Sequence, residues 1–302
     1  MSFRLRNLPL LSRVGADRSD NLRTDIDAAV AGWAGAALIR VDPRNQVMVS
    51  DGRVVFGAAA ESGDRPPPDA VFLGRIADGR HVWAVRAALE AAEGAEVVDL
   101  RRGGTSFDDV SAQLVASAVA LLNWHDHARF SPVDGSPTVP VKAGWARLNP
   151  LGGHEEFPRI DPAIICLVHD GGDRCVLARQ AMWPERLFSL IAGFVEAGES
   201  FETCVVREVA EEIGLDVRDV EYLGSQPWPF PRSLMVGFHA IGDPDQQFVF
   251  SDGEIAEAEW FTRAEVREAL AHGDWSSDSQ SRLLLPGSIS IAREIIESWA
   301  AM

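Results

Sequence analysis

The sequence predicts an α+β protein built as two domains. Three observations carry that expectation. Short β-branched runs punctuated by turn residues fill the first ~125 positions, a Pro/Gly-rich connector follows them, and the remainder mixes strands with periodic helices. A chain of 302 residues accommodates two domains of ordinary size.

In the N-terminal half, apolar runs recur at Ala37–Val41, Gln46–Val49, Val54–Phe56, Val71–Leu73 and His81–Val85. Turn signals such as Ser50-Asp51-Gly52 and Ala77-Asp78-Gly79 separate them, as the strands of a mainly antiparallel sheet require. Asp108–His127 is a helical stretch with Val110, Leu114, Val115, Ala118, Leu121 and Leu122 on one face. Ser131–Pro150 is the connector, so the expected division is a domain over residues 1–127, a linker over 128–158 and a second domain over 159–302. Beyond it, Ala163–Val168 and Arg174–Arg179 predict a hairpin around Asp170-Gly171-Gly172-Asp173. Phe188–Val195, Leu234–Ala240 and a short run ending at Trp260-Phe261 predict further strands. Helices are expected at Phe201–Ile213, Arg263–Ala271 and Ile289–Ala300, the second opened by a capping box between Thr262 and Glu265.

Composition narrows the function classes. A net charge of −17 argues against broad binding to nucleic-acid backbone, which needs Lys and Arg to neutralise phosphates. An acidic protein can still hold phosphates where a divalent metal supplies positive charge locally. No apolar run approaches the ~20 residues of a membrane span; Ala28–Ile39 is the longest, and it is short and rich in Ala and Gly. The patch Leu8–Leu11 is too short for a signal-peptide core. Three cysteines, Cys166, Cys175 and Cys204, predict no disulfide framework and a reducing, cytoplasmic setting.

The chemistry concentrates in residues 193–215, GFVEAGESFETCVVREVAEEIGL. Ser200 can cap a helix, Glu202 suits its positive end, and Gly214 can take the left-handed conformation that stops it. Phe201, Val205, Val209 and Ile213 recur every four residues as a buried stripe. Glu208, Glu211 and Glu212 stand at i, i+3 and i+4 and share another face. Three carboxylates on one face repel each other, and Arg207 answers only part of that charge. A solvated acidic face is the bland reading; the glycine-bounded loop before the helix favours a site for a hard divalent cation, Mg²⁺ or Mn²⁺, with oxygen ligands.

The spacing Gly193-x5-Glu199-x7-Arg207-Glu208-Val209-x-Glu211-Glu212-x-Gly214 resembles the Nudix box at every defining position. The resemblance implies a Nudix α/β/α sandwich in the C-terminal domain and metal-dependent hydrolysis of a nucleoside diphosphate. It also implies roles: Glu208 and Glu212 as principal metal ligands supported by Glu211, a Glu199–Arg207 ion pair that orients loop and helix, and the backbone carbonyl of Ala192 as a further ligand. Just downstream lies Gln226-Pro227-Trp228-Pro229-Phe230-Pro231-Arg232-Ser233. By composition it is a stiff loop with two aromatics; at this distance from the box it resembles the signature of the NADH pyrophosphatase branch. Members of that branch cleave NAD(H) to AMP and nicotinamide mononucleotide and remove NAD caps from RNA 5′ ends. Asn123-Trp124-His125, Glu156-Phe157-Pro158-Arg159 and Asp161-Pro162-Ala163-Ile164-Ile165 extend the resemblance. By position Phe157 and Phe194 match the aromatics that sandwich a base, Glu254 an acidic residue that completes the metal site, and Ala292 a backbone contact to substrate. A homodimer is implied by the same resemblance.

One departure is plain. The branch carries a four-cysteine zinc ribbon between its domains, and the equivalent positions here are Ser131, Asp134, Asn149 and Gly152. No soft-ligand set replaces them, so no structural zinc is expected and the ribbon should persist as a metal-free hairpin packed through Trp145. Nearby His125, His127 and His154 read as solvent-facing. Two other functions fit parts of the sequence: a Nudix diphosphatase for another nucleotide such as ADP-ribose, which the Gln226–Ser233 segment argues against, and a non-catalytic nucleotide sensor, which the intact box carboxylates argue against.

Overall fold

The turn-punctuated runs of the N-terminal half fold into two small sheets where the sequence suggests one. The computed structural model describes residues 3–90, 93–251, 253–277 and 281–302. Two helical turns, α1 (Asp20–Thr24) and α2 (Ile26–Ala31), precede β1 (Ala37–Val41), β2 (Gln46–Ser50), β3 (Arg53–Val54), β4 (Gly57–Ala58), β5 (Val71–Arg75), β6 (His81–Arg86) and β7 (Glu96–Asp99). One sheet runs β4-β1-β6-β5 and the other β3-β2-β7. Most pairings are antiparallel, but the central pair β1–β6 is parallel, Leu38 opposite Trp83 and Ile39 opposite Ala84. The expected antiparallel order fails there because β1 and β6 are separated by a long excursion, which can return the chain in either direction. After the short α3 (Leu100–Gly103), the long α4 (Asp109–His127) starts at Asp108, whose carboxylate accepts from Ser111 N. It packs on β1, β5 and β6. Trp33, Leu38, Phe72 and Trp83 centre the apolar cluster of this sheet.

The connector forms a three-stranded ribbon, β8 (Val139–Val141), β9 (Ala146–Leu148) and β10 (Glu155–Glu156), in the order β10-β9-β8. Trp145 fixes it: its indole N–H donates to the Phe72 carbonyl at 2.6 Å and its ring lies under the Arg23 guanidinium at 3.5 Å. His125 is not solvent-facing. It is buried at the end of α4, where Arg147 Nη1 donates to its Nδ1 at 2.9 Å, leaving Nε2 to donate to Gly144 O at 2.8 Å. An Arg neighbour and a carbonyl together select one neutral tautomer, and burial lowers its pKa. These elements, residues 13–160 together with Trp228–Arg232, form one unit; the described residues of Met1–Ser12, with Asp161–Pro227 and Ser233–Met302, form the other.

In this second unit, strand alternation sorts the layers. Its strands are β11 (Asp161–His169), β12 (Arg174–Gln180), β13 (Ile191–Phe194), β14 (Val217–Trp228), β15 (Ser233–Gly242) and β16 (Ile255–Thr262). The sheet order is β14-β15-β11-β12-β16, with β13 paired to β11. Because successive side chains of a strand point to opposite faces, Ile164, Cys166 and Val168 of β11 meet Val205, Val209 and Ile213 of α5 (Phe201–Ile213). Ile165 and Leu167 turn the other way, onto α6 (Arg263–Ala271) and α7 (Ile291–Ala300). Helices cover both faces, which makes the α/β/α sandwich. The three cysteines are free and buried. Among the described residues no helix is long and apolar enough to cross a membrane.

Candidate active site

Helix α5 is set by its ends. Ser200 Oγ accepts from Thr203 N at 3.2 Å, and Thr203 Oγ1 in turn accepts from Ser200 N at 3.0 Å. Gly214 stops the helix at φ 72° and ψ 15°, a left-handed conformation that glycine adopts without Cβ penalty. The buried stripe departs from the expected four-residue repeat at one residue. Val205, Val209 and Ile213 are buried as predicted, but Phe201 is 37% exposed and Cys204 fills its place. Phe201 sits on the first turn, its ring 6.4 Å from that of Phe238 on β15. The Cys204 thiol is pushed up to about 12, by burial first, and is a packing group.

Arg207 ties the loop to the helix. Its Nε and Nη2 donate to the two oxygens of Glu199, both at 2.8 Å, and Nη2 also reaches the Phe194 carbonyl at 3.0 Å. Its Nη1 bonds Glu208 Oε1 at 2.9 Å and Glu211 Oε2 at 3.0 Å. The Arg207 hydrogen bonds, with another from Glu196 N, hold the Glu199 carboxyl down at about 2, and the same contacts raise the guanidinium pKa. Glu208 is pushed the opposite way, upward, because burial penalises its charge more than Arg207 relieves it.

The placement of Glu208 explains Gly193. This glycine lies on β13, opposite Ile164 of β11, and a Cβ added to it would come within 1.9 Å of the Glu208 carboxyl carbon. Only a bare Cα leaves room for that carboxylate against the strand. Sequence reading assigned Gly193 to the box but no physical task; the spacing Gly193 to Glu208 alone carries no sign of the contact. Glu212, expected on the polar face, is 4% exposed, while Glu211 is open to solvent. Ala192 lies beside Gly193, opposite Ile165, and Glu254 is exposed just before β16, its carbonyl accepting from Ala181 N at 3.2 Å. Among the described residues no group of three His, Cys, Asp or Glu side chains is gathered in a metal-holding arrangement. The donor chemistry nevertheless fits a hard ion. Acceptor-only carboxylates outnumber the single guanidinium among them, and one, Glu208, sits where its charge is poorly solvated.

Comparison with known proteins agrees over the whole chain. The NUDIX domain family model matches residues 159–281, the NADH pyrophosphatase-like rudimentary NUDIX domain matches 30–124, and the NADH pyrophosphatase zinc ribbon domain matches 126–157. The "NAD-capped RNA hydrolase NudC" of Mycobacterium bovis (strain BCG / Pasteur 1173P2) is 73% identical over 305 residues, spanning 100% of this chain and 97% of that protein. The chain belongs to the NADH pyrophosphatase family of Nudix hydrolases. The mitochondrial "NAD(P)H pyrophosphatase NUDT13" of Mus musculus is 39% identical over 219 residues, covering 71% of this chain and 62% of that one. Among solved structures, a NUDIX hydrolase from Nitrosomonas europaea aligns with TM-score 0.38 at 19% identity, over 44% of this chain and 77% of that chain. Nudix hydrolases use divalent metals, in keeping with the carboxylate donors on α5.

In this Nudix hydrolase the segment read as a stiff loop is half strand and half turn. Gln226, Pro227 and Trp228 end β14, the cis Phe230-Pro231 bond lies in the turn, and Ser233 begins β15. Gln226 is fully buried; its Nε2 donates to Ile289 O at 2.9 Å while Oε1 has no partner among the described residues. Trp228 and Phe230 meet edge to face at 5.0 Å. Pro229 and Arg232 complete the turn. Phe194 and Phe157 are both 59% exposed, one at the end of β13 and the other just after β10, where the Lys142 ammonium lies 5.1 Å from the Phe157 ring centre. Ala292 is buried in the first turn of α7, and its backbone N–H is taken by Ser290 Oγ at 3.2 Å.

Proposed function

We propose that this protein is a cytoplasmic, homodimeric NAD(H) diphosphatase that depends on Mg²⁺ or Mn²⁺ and also acts on the NAD cap of an RNA 5′ end. Water attacks the adenylate-side phosphorus, the bond to the bridging oxygen breaks, and nicotinamide mononucleotide leaves with that oxygen. Free dinucleotide yields AMP; capped RNA yields a 5′-monophosphate end. The observation that carries this reading is the Arg207 fork, which locks Glu199, Glu208 and Glu211 into one rigid acidic face beside Gly193.

On this reading Glu208 and Glu212, with the Ala192 carbonyl, hold the ion, Glu211 supports them and Glu254 completes the set. A bound Mg²⁺ or Mn²⁺ supplies charge neutralisation of the diphosphate and a lowered pKa for water. Arg207 and Glu199 keep the carboxylates from drifting apart under their own repulsion. Phe194 and Phe157 are each a candidate face for a base, and residues of Gln226–Ser233 are candidate contacts to the nucleotide. The names of the two relatives, one for capped RNA and one for NAD(P)H, support the same substrate class.

Product analysis after incubation with NADH and Mg²⁺ tests the reading. AMP and reduced nicotinamide mononucleotide in equal amounts are expected, with a higher kcat/KM for NADH than for ADP-ribose; release of nicotinamide alone, or a preference for ADP-ribose, would refute it. Glu212→Gln, which changes charge but hardly volume, should lower kcat by orders of magnitude while the thermal midpoint stays put. Near-normal turnover in that variant would remove Glu212 from the metal set.

A further inference from the structure

The ribbon's family model matches residues 126–157, but the side chains there do not fit its zinc ion. Structural zinc is held by four thiolate or imidazole ligands, and Cys166, Cys175 and Cys204 all belong to the other unit, where they are buried. By the resemblance to the zinc-ribbon branch, two x-x pairs, Ser131/Asp134 and Asn149/Gly152, occupy the positions equivalent to its cysteines. These four positions still converge. Asn149 Nδ2 donates to both carboxylate oxygens of Asp134, at 3.0 and 2.9 Å. Asn149 Oδ1 accepts from the backbone N–H groups of Leu151 and Gly152, both at 3.0 Å. The Asn149 backbone closes the turn, its N–H donating to His154 O at 3.0 Å and its carbonyl accepting from Gly153 N at 2.9 Å.

The opposite turn is built the same way. Ser131 Oγ accepts from Val133 N at 3.2 Å and lies 3.1 Å from His154 Nε2, with Glu156 Oε1 3.5 Å from the same nitrogen. Asp134 Oδ1 accepts from Ser136 N at 3.0 Å and from Ser136 Oγ at 2.6 Å. Asn149 and Ser131 are both buried. An amide side chain has two donors and a two-lone-pair acceptor. One asparagine therefore answers a carboxylate on one turn and two orphan backbone donors on its own, and bonds to a charged acceptor are the stronger kind.

We infer that a hydrogen-bonded clasp centred on Asn149 does the cross-linking in this chain that a zinc ion does in the related ribbon, and that the segment takes no structural metal. What the clasp holds is defined by the ribbon. Asn149 directly follows β9, β9 pairs with both β8 and β10, and β10 runs straight into Phe157. Folding of such a ribbon no longer waits on metal loading.

The test uses the full chain. Protein made in zinc-supplemented cells and dialysed without chelator is expected to hold no stoichiometric zinc by elemental analysis; about one ion per chain, the ribbon's usual load, overturns the inference. Asn149→Ala should speed amide exchange at Leu151 and Gly152 by about 10–100-fold, the loss of a buried hydrogen bond, while α5 amides keep their protection. Unchanged exchange at those two amides overturns it. The converse variant S131C/D134C/N149C/G152C should take up zinc, since the four positions already face one another. A folded quadruple variant that binds none overturns the convergence, and if that variant does not fold, the Asn149→Ala exchange result decides alone.

Discussion

Arg207 has five N–H donors and the structure gives each a partner: two on Glu199, one on the Phe194 carbonyl, one each on Glu208 and Glu211. A lysine there offers one compact ammonium and no planar fork, so Arg207→Lys keeps the charge and loses the geometry. With Glu208 as the proposed metal ligand, turnover on NADH should fall about 10–100-fold, the usual consequence of removing an orienting contact behind such a ligand. Unaltered kcat/KM would show that charge alone suffices. The pair is insensitive to ordinary pH. Glu199, held down at about 2, has a folded pKa below its ordinary 4.5, so the stability it lends is complete above 4.5 and is lost only as pH falls through about 2. Gly193→Ala tests the other contact of Glu208. Its Cβ would meet the carboxylate at 1.9 Å, so the glutamate must swing off the strand. An overpacking cost of about 1–3 kcal/mol and a weakened response to Mg²⁺ in titrations of activity are expected; an unchanged Mg²⁺ dependence would show that Glu208 need not lie there.

At the scale of elements, the helices were easiest to read. Ser200 and Gly214 mark the ends of α5 in the sequence, and Thr262 with Glu265 marks the start of α6, because caps depend on residue type within one turn. Strand β14 was not legible. Arg218, Asp219 and Glu221 break its alternation and Pro227 lies within it, features tolerated because it is the edge of its sheet. The Asp134–Asn149 clasp was equally hidden, since a hydrogen bond between distant polar residues leaves no periodicity. So was a histidine pair carried by β11 and β15. Gly171 N donates to His169 Nδ1 at 3.0 Å, so the His169 proton sits on Nε2, 3.2 Å from His239 Nδ1; His239 then keeps its proton on Nε2, 3.4 Å from Glu221. Burial first, then the neighbouring ring, lowers the His169 pKa to about 4. Between its ordinary 6.5 and about 4 the unfolded chain binds a proton that the folded chain refuses. Stability is therefore complete above 6.5 and falls on acidification, by on the order of 3 kcal/mol. His169→Asn, whose Oδ1 can still accept from Gly171, should flatten the thermal midpoint between pH 6.5 and 4.5. An identical acid slope in the variant would place the titration elsewhere.

For the molecule as a whole, charge decides how much of an RNA it can hold. With 28 Lys and Arg against 45 Asp and Glu, it carries −17. Many of the cations are already committed: Arg40, Arg75, Arg86, Arg179 and Arg282 all lie within 4 Å of carboxylates. Each RNA phosphate neutralised by the protein steepens the salt dependence by about 0.7 in log–log slope. An enzyme that takes in the NAD cap and little of the chain behind it makes at most one or two such contacts. At fixed free Mg²⁺, raising salt from about 50 to 200 mM should then lower kcat/KM for NAD-capped RNA by no more than about sevenfold. The same rise should scarcely change the ratio between a short capped oligonucleotide and a long one. A fall of a hundredfold or more, or a rate that climbs steadily with RNA length, would mean that an acidic surface has assembled an extended phosphate track, and the reading of the cap as the unit of recognition would fail.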